Sequence, residues 1–445
     1  MPVNRRSFIK YASLAAAGNV AGLRPFGALN ALAQTTTDYK ALVCVFLYGG
    51  NDANNTLVQF DTAGYANYAN VRGPLVIPQS QLLQLASAPN FALHPNLPDI
   101  KTLFDSKAAA LVTNVGTLMQ PTTRAQYQAG QTLPSNLFSH PDQQLEWQNA
   151  SQSGATATGW AGRIADALTS TYNPGGQVPM ITSVAGDTLF CNGKSSTPVA
   201  VSPGNLGGAQ CSEGSECGAQ QATAQALLSF DSGLSLVQAD NAITSNAYSY
   251  AKTLTAAVQS VSPLKTVFPT NNSLASQLQQ IAQVIQVRGA LGVSRQIFFA
   301  GIGNFDTHAN QLTDQGTLLT AISPALAAFF QATQELGVQN NVTTFTMSDF
   351  SRTFQPNSNT GSDHAWGSHH IVIGGAVNGG QMYGTFPTLA LGGPDDSGSN
   401  GRWVPTTASV QYAATLAQWF GVSAAQMPTI FPNISNFATA NLGFV

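Results

Sequence analysis

The sequence is poor in charge: Asp, Glu, Lys and Arg together make up 8% of its 445 residues, and the formal net charge is −3. Chains that bind nucleic acid carry a clear excess of Lys and Arg, so this mildly acidic composition argues against nucleic acid as a partner. Hydrophobic residues make up 43% of the chain, which is ample for one large α/β domain or two smaller ones. Because titratable groups are scarce, a stretch that concentrates them is a candidate site.

Cysteine is also scarce, with four residues in the whole chain. Their spacing supports no Cys-based zinc site. Cys211 and Cys217 lie in a Gly/Ser-rich segment and are predicted to form a short-loop disulfide in an oxidising compartment; the alternative is that no cysteine is paired. The pairing of Cys191 is left open, and Cys44, within an apolar run, is predicted to be a buried small hydrophobe.

Beyond the N terminus, the sequence lacks an apolar run of the roughly 18–20 residues that span a bilayer. Residues 4–10 (NRRSFIK) resemble a twin-arginine export signal, followed by a weakly apolar stretch and an A-x-A cleavage pattern at residues 31–33. We expect a signal peptide over 1–33 and a mature chain, without a transmembrane anchor, that works in the periplasm or is secreted. The alternative for the N terminus is an ordinary amphipathic helix.

Apolar runs that end near glycine recur along the chain, and such continuous runs are typical of strands buried on both faces of a parallel sheet. They cover residues 41–48, 108–115, 178–184, 295–300 and 371–374, and residues 343–347 form a further short run rich in β-formers. Segments with helical spacing lie between and after them, at residues 81–104, 220–261, 273–291, 312–336 and 408–420. This order predicts one α/β domain over 34–445 with a doubly wound, mainly parallel sheet flanked by helices, and a Gly/Ser/Cys-rich insertion around 188–219.

Acidic and histidine side chains gather where the predicted strands end. Residues 343–370 alone hold three of the six histidines. The residues at predicted strand ends or in the loops beyond them are Asp52, Asp306, His308, Asp349, Asp363, His364, His369 and His370. Ligands of open α/β sheets collect beyond the carboxyl ends of the strands, so we expect these side chains to converge. The alternatives are that Asp52 only caps a turn and that His308 is a satisfied core histidine.

Carboxylates that converge with so few cations nearby would repel one another, and Arg352 is the one cation close in sequence to Asp349. A divalent metal resolves this repulsion, and mixed carboxylate and imidazole ligands suit zinc, manganese or iron better than calcium. One or two such ions, zinc or manganese first, could clamp the oxygens of a phosphoryl or sulfuryl transfer.

Ser139 precedes Pro141 at the start of a predicted helix. Ser is a favoured N-cap, and the cap interpretation is preferred on this pattern. A hydroxyl at a helix N terminus is also where a nucleophile gains from free N–H groups. Ser139 and Arg352 are the candidate catalytic residues.

Four motifs carry a resemblance to a known family: LYGGND at 47–52, FDTH at 305–308, SDFSRT at 348–353 and GSDH at 361–364. In this order they resemble the family catalogued as domain of unknown function 1501, which is itself similar to the alkaline phosphatase and sulfatase superfamily. The resemblance implies an alkaline-phosphatase-like fold in which Asp52 and Asp349 are metal ligands. It further implies that Asp306, His308 and His364 hold another ion and that Ser139 stands in the nucleophile's place. Asp363, next to His364, is a further candidate metal ligand.

The residues and the resemblance together predict an exported metal-dependent hydrolase of phosphate or sulfate esters, with a small-molecule or polymeric ester as substrate. Ser139 or a metal-activated water would attack. The alternative is a non-catalytic, metal-stabilised secreted protein that binds another secreted component, which the low charge and Gln-, Asn- and Ala-rich helices suit. A weaker third interpretation is carbohydrate modification at the cell surface.

Overall fold

The computed structural model describes residues 38–150, 157–206, 217–230 and 233–445, and Asp38–Val445 form one compact unit. The predicted signal peptide over 1–33 lies outside the described residues. Cys211 and the side chain of Cys217 do too, so their disulfide stays a prediction. The thiols of Cys44 and Cys191 are both buried and unpaired.

The described strands are β1 (Lys40–Leu47), β2 (Leu57–Gln59), β3 (Leu83–Gln84), β4 (Phe91–Leu93), β5 (Ala109–Gly116), β6 (Ile181–Ser183), β7 (Val199–Ala200), β8 (Arg295–Ile302), β9 (Val342–Ser348), β10 (Ser368–Ile373), β11 (Met382–Tyr383) and β12 (Thr407–Ala408). The described α-helices are α1 (Ala53–Thr56), α2 (Thr62–Arg72), α3 (Pro98–Asp105), α4 (Arg124–Gln128), α5 (His140–Asn149), α6 (Trp160–Tyr172), α7 (Cys217–Leu228), α8 (Ser235–Gln259), α9 (Ser273–Gln286), α10 (Gln311–Glu335), α11 (Ser409–Phe420) and α12 (Met427–Ile430).

The main sheet has the strand order β11-β5-β10-β9-β1-β8-β6-β7, with β12 also paired to β5. Strands β9, β1, β8, β6 and β7 are parallel, which confirms the predicted doubly wound, mainly parallel sheet. Strand β10 runs antiparallel to both of its neighbours. Because the loop after β9 returns the chain at the same edge of the sheet, β10 starts where β9 ends and has to run the other way.

Strand β1 is the centre of the sheet and is buried on both faces, as its unbroken apolar run predicts. Ala41, Val43 and Val45 face a core shared with α3, α9 and α10. Leu42, Cys44 and Phe46 face a second core shared with α6 and α11. The helices therefore cover both faces of the sheet.

Helix α10 is long and apolar enough to cross a bilayer by length and composition, and 61% of its most apolar window is buried. Leu319, Ile322 and Phe329 of this helix contribute to the same core as Val43 of β1. The helix therefore has a packing role in the domain.

Three expectations are corrected by the fold. Residues 81–104 are helical only in α3, because Phe91–Leu93 pair with β2 in a small antiparallel sheet of order β2-β4-β3. The segment around 188–219 is not all insertion, because β7 extends the main sheet beside β6. His369 and His370 do not lie in a flexible loop; both are buried within β10.

Candidate metal centre at the strand ends

Three strands end at one level of the sheet, where Leu47 of β1 pairs with Ile302 of β8 and with Ser348 of β9. The β1 loop then packs closely on the other two through Gly49 and Gly50, at φ of 109° and 81°. A Cβ atom on Gly49 would lie 2.5 Å from the backbone nitrogen of Asp306. On Gly50 it would lie 2.6 Å from the Phe350 ring. These glycines bring the loops together because only residues without a side chain fit there.

Asp306 is the point on which the site converges. Its Oδ1 lies 3.0 Å from His308 Nε2, 3.3 Å from His140 Nε2 and 3.6 Å from His364 Nε2. The Nε2 atoms of His308 and His364 are 2.9 Å apart. Arg352 Nη2 lies 2.5 Å from the same oxygen of Asp306. Three imidazoles thus present the same nitrogen to one carboxylate.

The opposite ring nitrogen of each imidazole faces an oxygen: His140 Nδ1 is 2.7 Å from Asp349 Oδ2, His364 Nδ1 is 2.6 Å from the Phe138 carbonyl oxygen, and His308 Nδ1 is 3.3 Å from Asp363 Oδ1. Carbonyl and carboxylate oxygens accept hydrogen bonds, which assigns the ring hydrogen to Nδ1. In its neutral form, a ring with the hydrogen on Nδ1 directs the lone pair of Nε2 towards Asp306. Partners of this kind fix the tautomer and orientation of metal-binding histidines.

The charges around Asp306 favour its ionised form. Burial by itself raises the pKa of Asp306, but the hydrogen bond from Arg352 and the nearby charges of Arg352, His140 and His308 outweigh it and lower the pKa. The pKa of His140 is raised, first by its hydrogen bond with Asp349. The pKa of His364 is lowered, first by burial and further by Arg352, so this ring stays neutral more readily.

The residues present fit a divalent metal ion. His140, Asp306 and His364 offer ligand atoms that all lie within 4.8 Å of one another. Ligands of a tetrahedral zinc ion, at about 2.0–2.1 Å from it, lie about 3.3 Å from each other. The separations of 3.3 and 3.6 Å between Asp306 and these two imidazoles are close to that value. His140 Nε2 is also buried without a hydrogen-bond partner among the described residues, which a ligand-to-metal bond would satisfy.

Arg352 is fully buried, and its donors are engaged by the protein. Its Nε donates to the Gly50 carbonyl at 3.0 Å, Nη1 donates to the Ser362 carbonyl at 3.2 Å, and Nη2 contacts the Gly49 carbonyl and Asp306. Arg352 therefore ties the three loops together and positions Asp306. The expectation of a directly catalytic Arg352 is replaced by this positioning role.

Asp52 is not brought to the cluster. Its buried carboxylate pairs with Arg72, accepts from the backbone nitrogen of Asn54 at 3.0 Å and contacts Gln311. The expectation of an Asp52 metal ligand is corrected, because α2 ends beside Asp52 and supplies a buried cation that neutralises it. The alternative interpretation of Asp52 as a cap of the following turn is what the structure shows.

Asp349 and Asp363 lie beside the Nδ1 atoms of His140 and His308, respectively, and not beside the Nε2 atoms that face Asp306. Asp349 is fully buried and also accepts from the Gly49 backbone nitrogen at 3.2 Å. The structure brings Asp306, His308 and His364 together, whereas Asp349 and Asp363, which were also expected as metal ligands, contact the imidazoles at Nδ1. Metal binding by these residues stays a prediction.

His140 is the site residue that sequence reasoning missed. Ser139 is the N-cap position of α5, as predicted, but its hydroxyl donates to Asp142 and accepts no capping bond. The next residue, His140, reaches the cluster, and Gln144 one helical turn later donates to Asp349 at 2.8 Å. A His and a Gln four residues apart on one helix face were the available signal. The role of Ser139 as a nucleophile stays a prediction.

A profile for the family described as protein of unknown function (DUF1501) matches residues 39–397. No curated protein matches this chain with significant similarity. The family profile covers all the cluster residues, because it begins before β1 and ends after His364.

Solved structures are matched over most of the chain, but with low scores. Ps i-CgsB in complex with k-i-k-neocarrahexaose is 12% identical with a TM-score of 0.36, covering 89% of this chain and 77% of that chain. The lipoteichoic acid synthase LtaP from Listeria monocytogenes is 8% identical with a TM-score of 0.37, covering 92% and 81%. The PsFucS1 sulfatase from Pseudoalteromonas sp. is 10% identical with a TM-score of 0.34, covering 95% and 74%. Scores this low assign no activity.

Proposed function

We propose that this chain, which belongs to the family described as protein of unknown function (DUF1501), is an exported metal-dependent hydrolase of phosphate or sulfate esters. One observation carries the proposal. Three imidazoles, each oriented through Nδ1, present Nε2 to the same oxygen of Asp306 at the carboxyl ends of the central strands. The side chains of Asp306 and His308 are 50% and 43% exposed, so a substrate can reach this point.

His140, Asp306 and His364 would hold the ion. Three protein ligands that leave a further position open are typical of catalytic zinc sites, and the same donors also bind manganese. A bound divalent ion supplies Lewis-acid polarisation of an ester oxygen and lowers the pKa of water. The buried Asp349 orients His140, and Arg352 keeps Asp306 ionised at its place.

His308 is the residue we assign to proton transfer. Its Nδ1 faces Asp363 at 3.3 Å, and its Nε2 lies beside the ligand set, 3.0 Å from Asp306. A histidine oriented by a carboxylate at Nδ1 can, once Nε2 is protonated as well, give that second proton to the leaving-group oxygen as the ester bond breaks. The half-exposed position of His308 lets its ring reach a leaving group that approaches from solvent.

The proposal that the chain is exported depends on its sequence alone. The motif around Arg5 and Arg6 supports it, and a periplasmic or secreted location would put polymeric esters within reach. Free, buried Cys44 and Cys191 are compatible with either compartment.

The experiment is elemental analysis of the full chain purified from a host that exports it, followed by turnover of 4-nitrophenyl phosphate, bis(4-nitrophenyl) phosphate and 4-nitrophenyl sulfate. We expect about one divalent ion per chain and hydrolysis of at least one ester. His308→Gln should keep the ion and lose about 100-fold in kcat, the size of a general-acid contribution. Absence of metal from the exported protein and after zinc or manganese addition would refute the proposal.

One observation favours the alternative of a metal-stabilised binding protein. Large apolar side chains are exposed on and beside α7 and α8: Leu227 at 66%, Phe230 at 68%, Leu236 at 84% and Ile243 at 57%. Exposed apolar patches mark interaction surfaces. Bound metal without turnover of any ester in the panel would decide for this alternative.

A further inference from the structure

Arg402 stands beside the candidate metal centre with most of its donors unused. Its Nε donates to the His364 carbonyl at 2.9 Å, and its guanidinium carbon lies 4.5 Å from the centre of the Phe138 ring. Among the ion pairs of the described residues none involves Arg402. Its Nη groups have no acceptor among the described residues, and the side chain is half-buried. A fixed guanidinium with free donors is an anion-binding group.

The two contacts that hold Arg402 also hold the cluster. Phe138 provides both the ring beneath the guanidinium and the carbonyl that accepts from His364 Nδ1. Arg402 is thus bound to the backbone carbonyl of the same histidine whose imidazole reaches the cluster, and its guanidinium is attached at the border of the candidate centre.

A second arginine borders the same loop. Residues 396–402 close around the buried Asp396 carboxylate, which accepts from the backbone nitrogens of Gly398 at 3.0 Å and Arg402 at 3.1 Å. Arg124 Nη2 donates to the Gly398 carbonyl at 3.1 Å, and its Nε is buried with no partner among the described residues. One loop therefore contains Arg402 and binds Arg124, in a chain with 8% charged residues.

We propose that Arg402, supported by Arg124 bound to the same loop, binds a second anionic group of the substrate, next to the ester that the centre cleaves. The substrate class is then an ester that also carries a carboxylate, sulfate or phosphate. This inference rests on the proposed hydrolase function. Arg352 cannot serve this purpose, because its donors are taken by the protein. The planar fork of Arg402 matches two oxygens of such a group.

The test compares glycerol 3-phosphate with 3-phosphoglycerate, which has a carboxylate in place of the terminal alcohol. The zinc-loaded full chain should prefer 3-phosphoglycerate by about 10- to 100-fold in kcat/KM, the range of a charge-assisted hydrogen bond. Arg402→Ala should remove this preference through KM, Arg402→Lys should keep part of it, and Arg124→Ala should reduce it less. Added NaCl should weaken the preference of the unmodified chain.

The matched control is Arg288→Ala. The Arg288 guanidinium also stacks on an aromatic ring, 5.2 Å from the centre of Tyr39, but at the opposite edge of the sheet, before β1. This variant should keep the preference. Equal kcat/KM for the two esters, or a preference that survives Arg402→Ala in a folded, zinc-containing variant, would overturn the inference.

Binding of the same two compounds is measured by calorimetry in parallel, so that the inference is decided even without turnover. Tighter binding of 3-phosphoglycerate that is lost in Arg402→Ala supports the anion subsite, and equal binding refutes it. Absence of turnover with selective binding would count against the hydrolase alone.

Discussion

The six histidines form two sets of three, and the contrast between their surroundings separates a candidate metal centre from the core. In the strand-end set, His140, His308 and His364 have Nδ1 beside an oxygen acceptor. In the core, His94 and His369 accept a backbone N–H at Nδ1 instead, from Asn96 at 3.1 Å and Asn114 at 3.0 Å. The first arrangement leaves the Nε2 lone pair available, whereas the second puts the hydrogen on Nε2.

The third core histidine, His370, packs against the rings of Trp147 and Tyr412 at 4.8 and 5.6 Å. Burial lowers the pKa of His370 to about 3 and those of His94 and His369 to about 4. These three rings stay neutral and serve packing. The atom next to Nδ1 thus distinguishes the strand-end set from His94 and His369, whereas His370, whose Nδ1 lies 3.4 Å from Thr346 Oγ1, is set apart by its full burial against aromatic rings.

The largest expected difference between the sets is in metal content. His140→Ala and His364→Ala each remove one of three proposed ligands. We therefore expect the purified variants to contain well under one zinc or manganese ion per chain, as measured by elemental mass spectrometry. His369→Ala is the counterpart: it should retain the ion and instead lower the free energy of unfolding by about 2–3 kcal/mol, because a buried side chain is lost. Loss of metal in His369→Ala would show that the core histidines also affect metal binding, contrary to the proposed division into two sets.

The core set should dominate the acid sensitivity of folding. The folded-state pKa of His369 is lowered to about 4 from an ordinary value of 6.5, so the unfolded chain binds the proton first as pH falls. Its contribution, about 3 kcal/mol by linkage, is fully present above about pH 6.5 and is lost towards pH 4. Denaturant unfolding of the metal-free protein between pH 7 and 4 measures it. In His369→Gln the free energy of unfolding should depend less on pH. An unchanged pH dependence would contradict the prediction.

A smaller effect on metal binding is expected at Asp349, which contacts the proposed ligand His140. Asp349→Asn keeps the shape of the buried partner of His140 but weakens its hold on the imidazole, so metal affinity should fall about 10- to 100-fold. Competition with a chelator measures the change. The matched control is Asp142→Asn on α5, the helix that carries His140. The Asp142 carboxylate accepts from the Ser139 hydroxyl and does not contact the cluster. Equal affinities in both variants would show that Asp349 does not orient a ligand.

The smallest effect is expected at Asp363, which is 48% exposed and lies 3.3 Å from His308 Nδ1. Asp363→Asn should lower kcat by less than about 10-fold and leave metal content unchanged, because solvent screens an exposed carboxylate. Steady-state kinetics and elemental analysis check it together. A loss of metal as large as that in His140→Ala would place Asp363 among the ligands.

The sequence predicted the sheet well because central strands that are buried on both faces appear as continuous apolar runs, as in residues 41–48 before Gly49, or as β-rich runs, as in residues 343–347. Asp306, His308 and His364 were found because they follow or flank strand ends. Asp52 has the same sequence signature, but its ion pair with Arg72 depends on where α2 ends. His140 was missed because a long loop, without strand signals, brings it to the site.

His364 and His369 lie five residues apart and look equivalent in sequence, yet one faces the cluster and the other is buried in β10. His364 lies in the loop before β10 and His369 lies inside the strand, so the start of β10 separates them, and that start depends on the pairing of β10 with β5, which is distant in sequence. Contacts of this kind cannot be inferred from local pattern.

The three proposed ligands come from α5, the loop after β8 and the loop before β10, more than 200 residues apart at the extremes. An unfolded polypeptide cannot capture an ion with donors so widely separated, so loading has to follow folding. The cellular space in which the chain first becomes compact then determines which cation it acquires, according to local supply more than intrinsic preference.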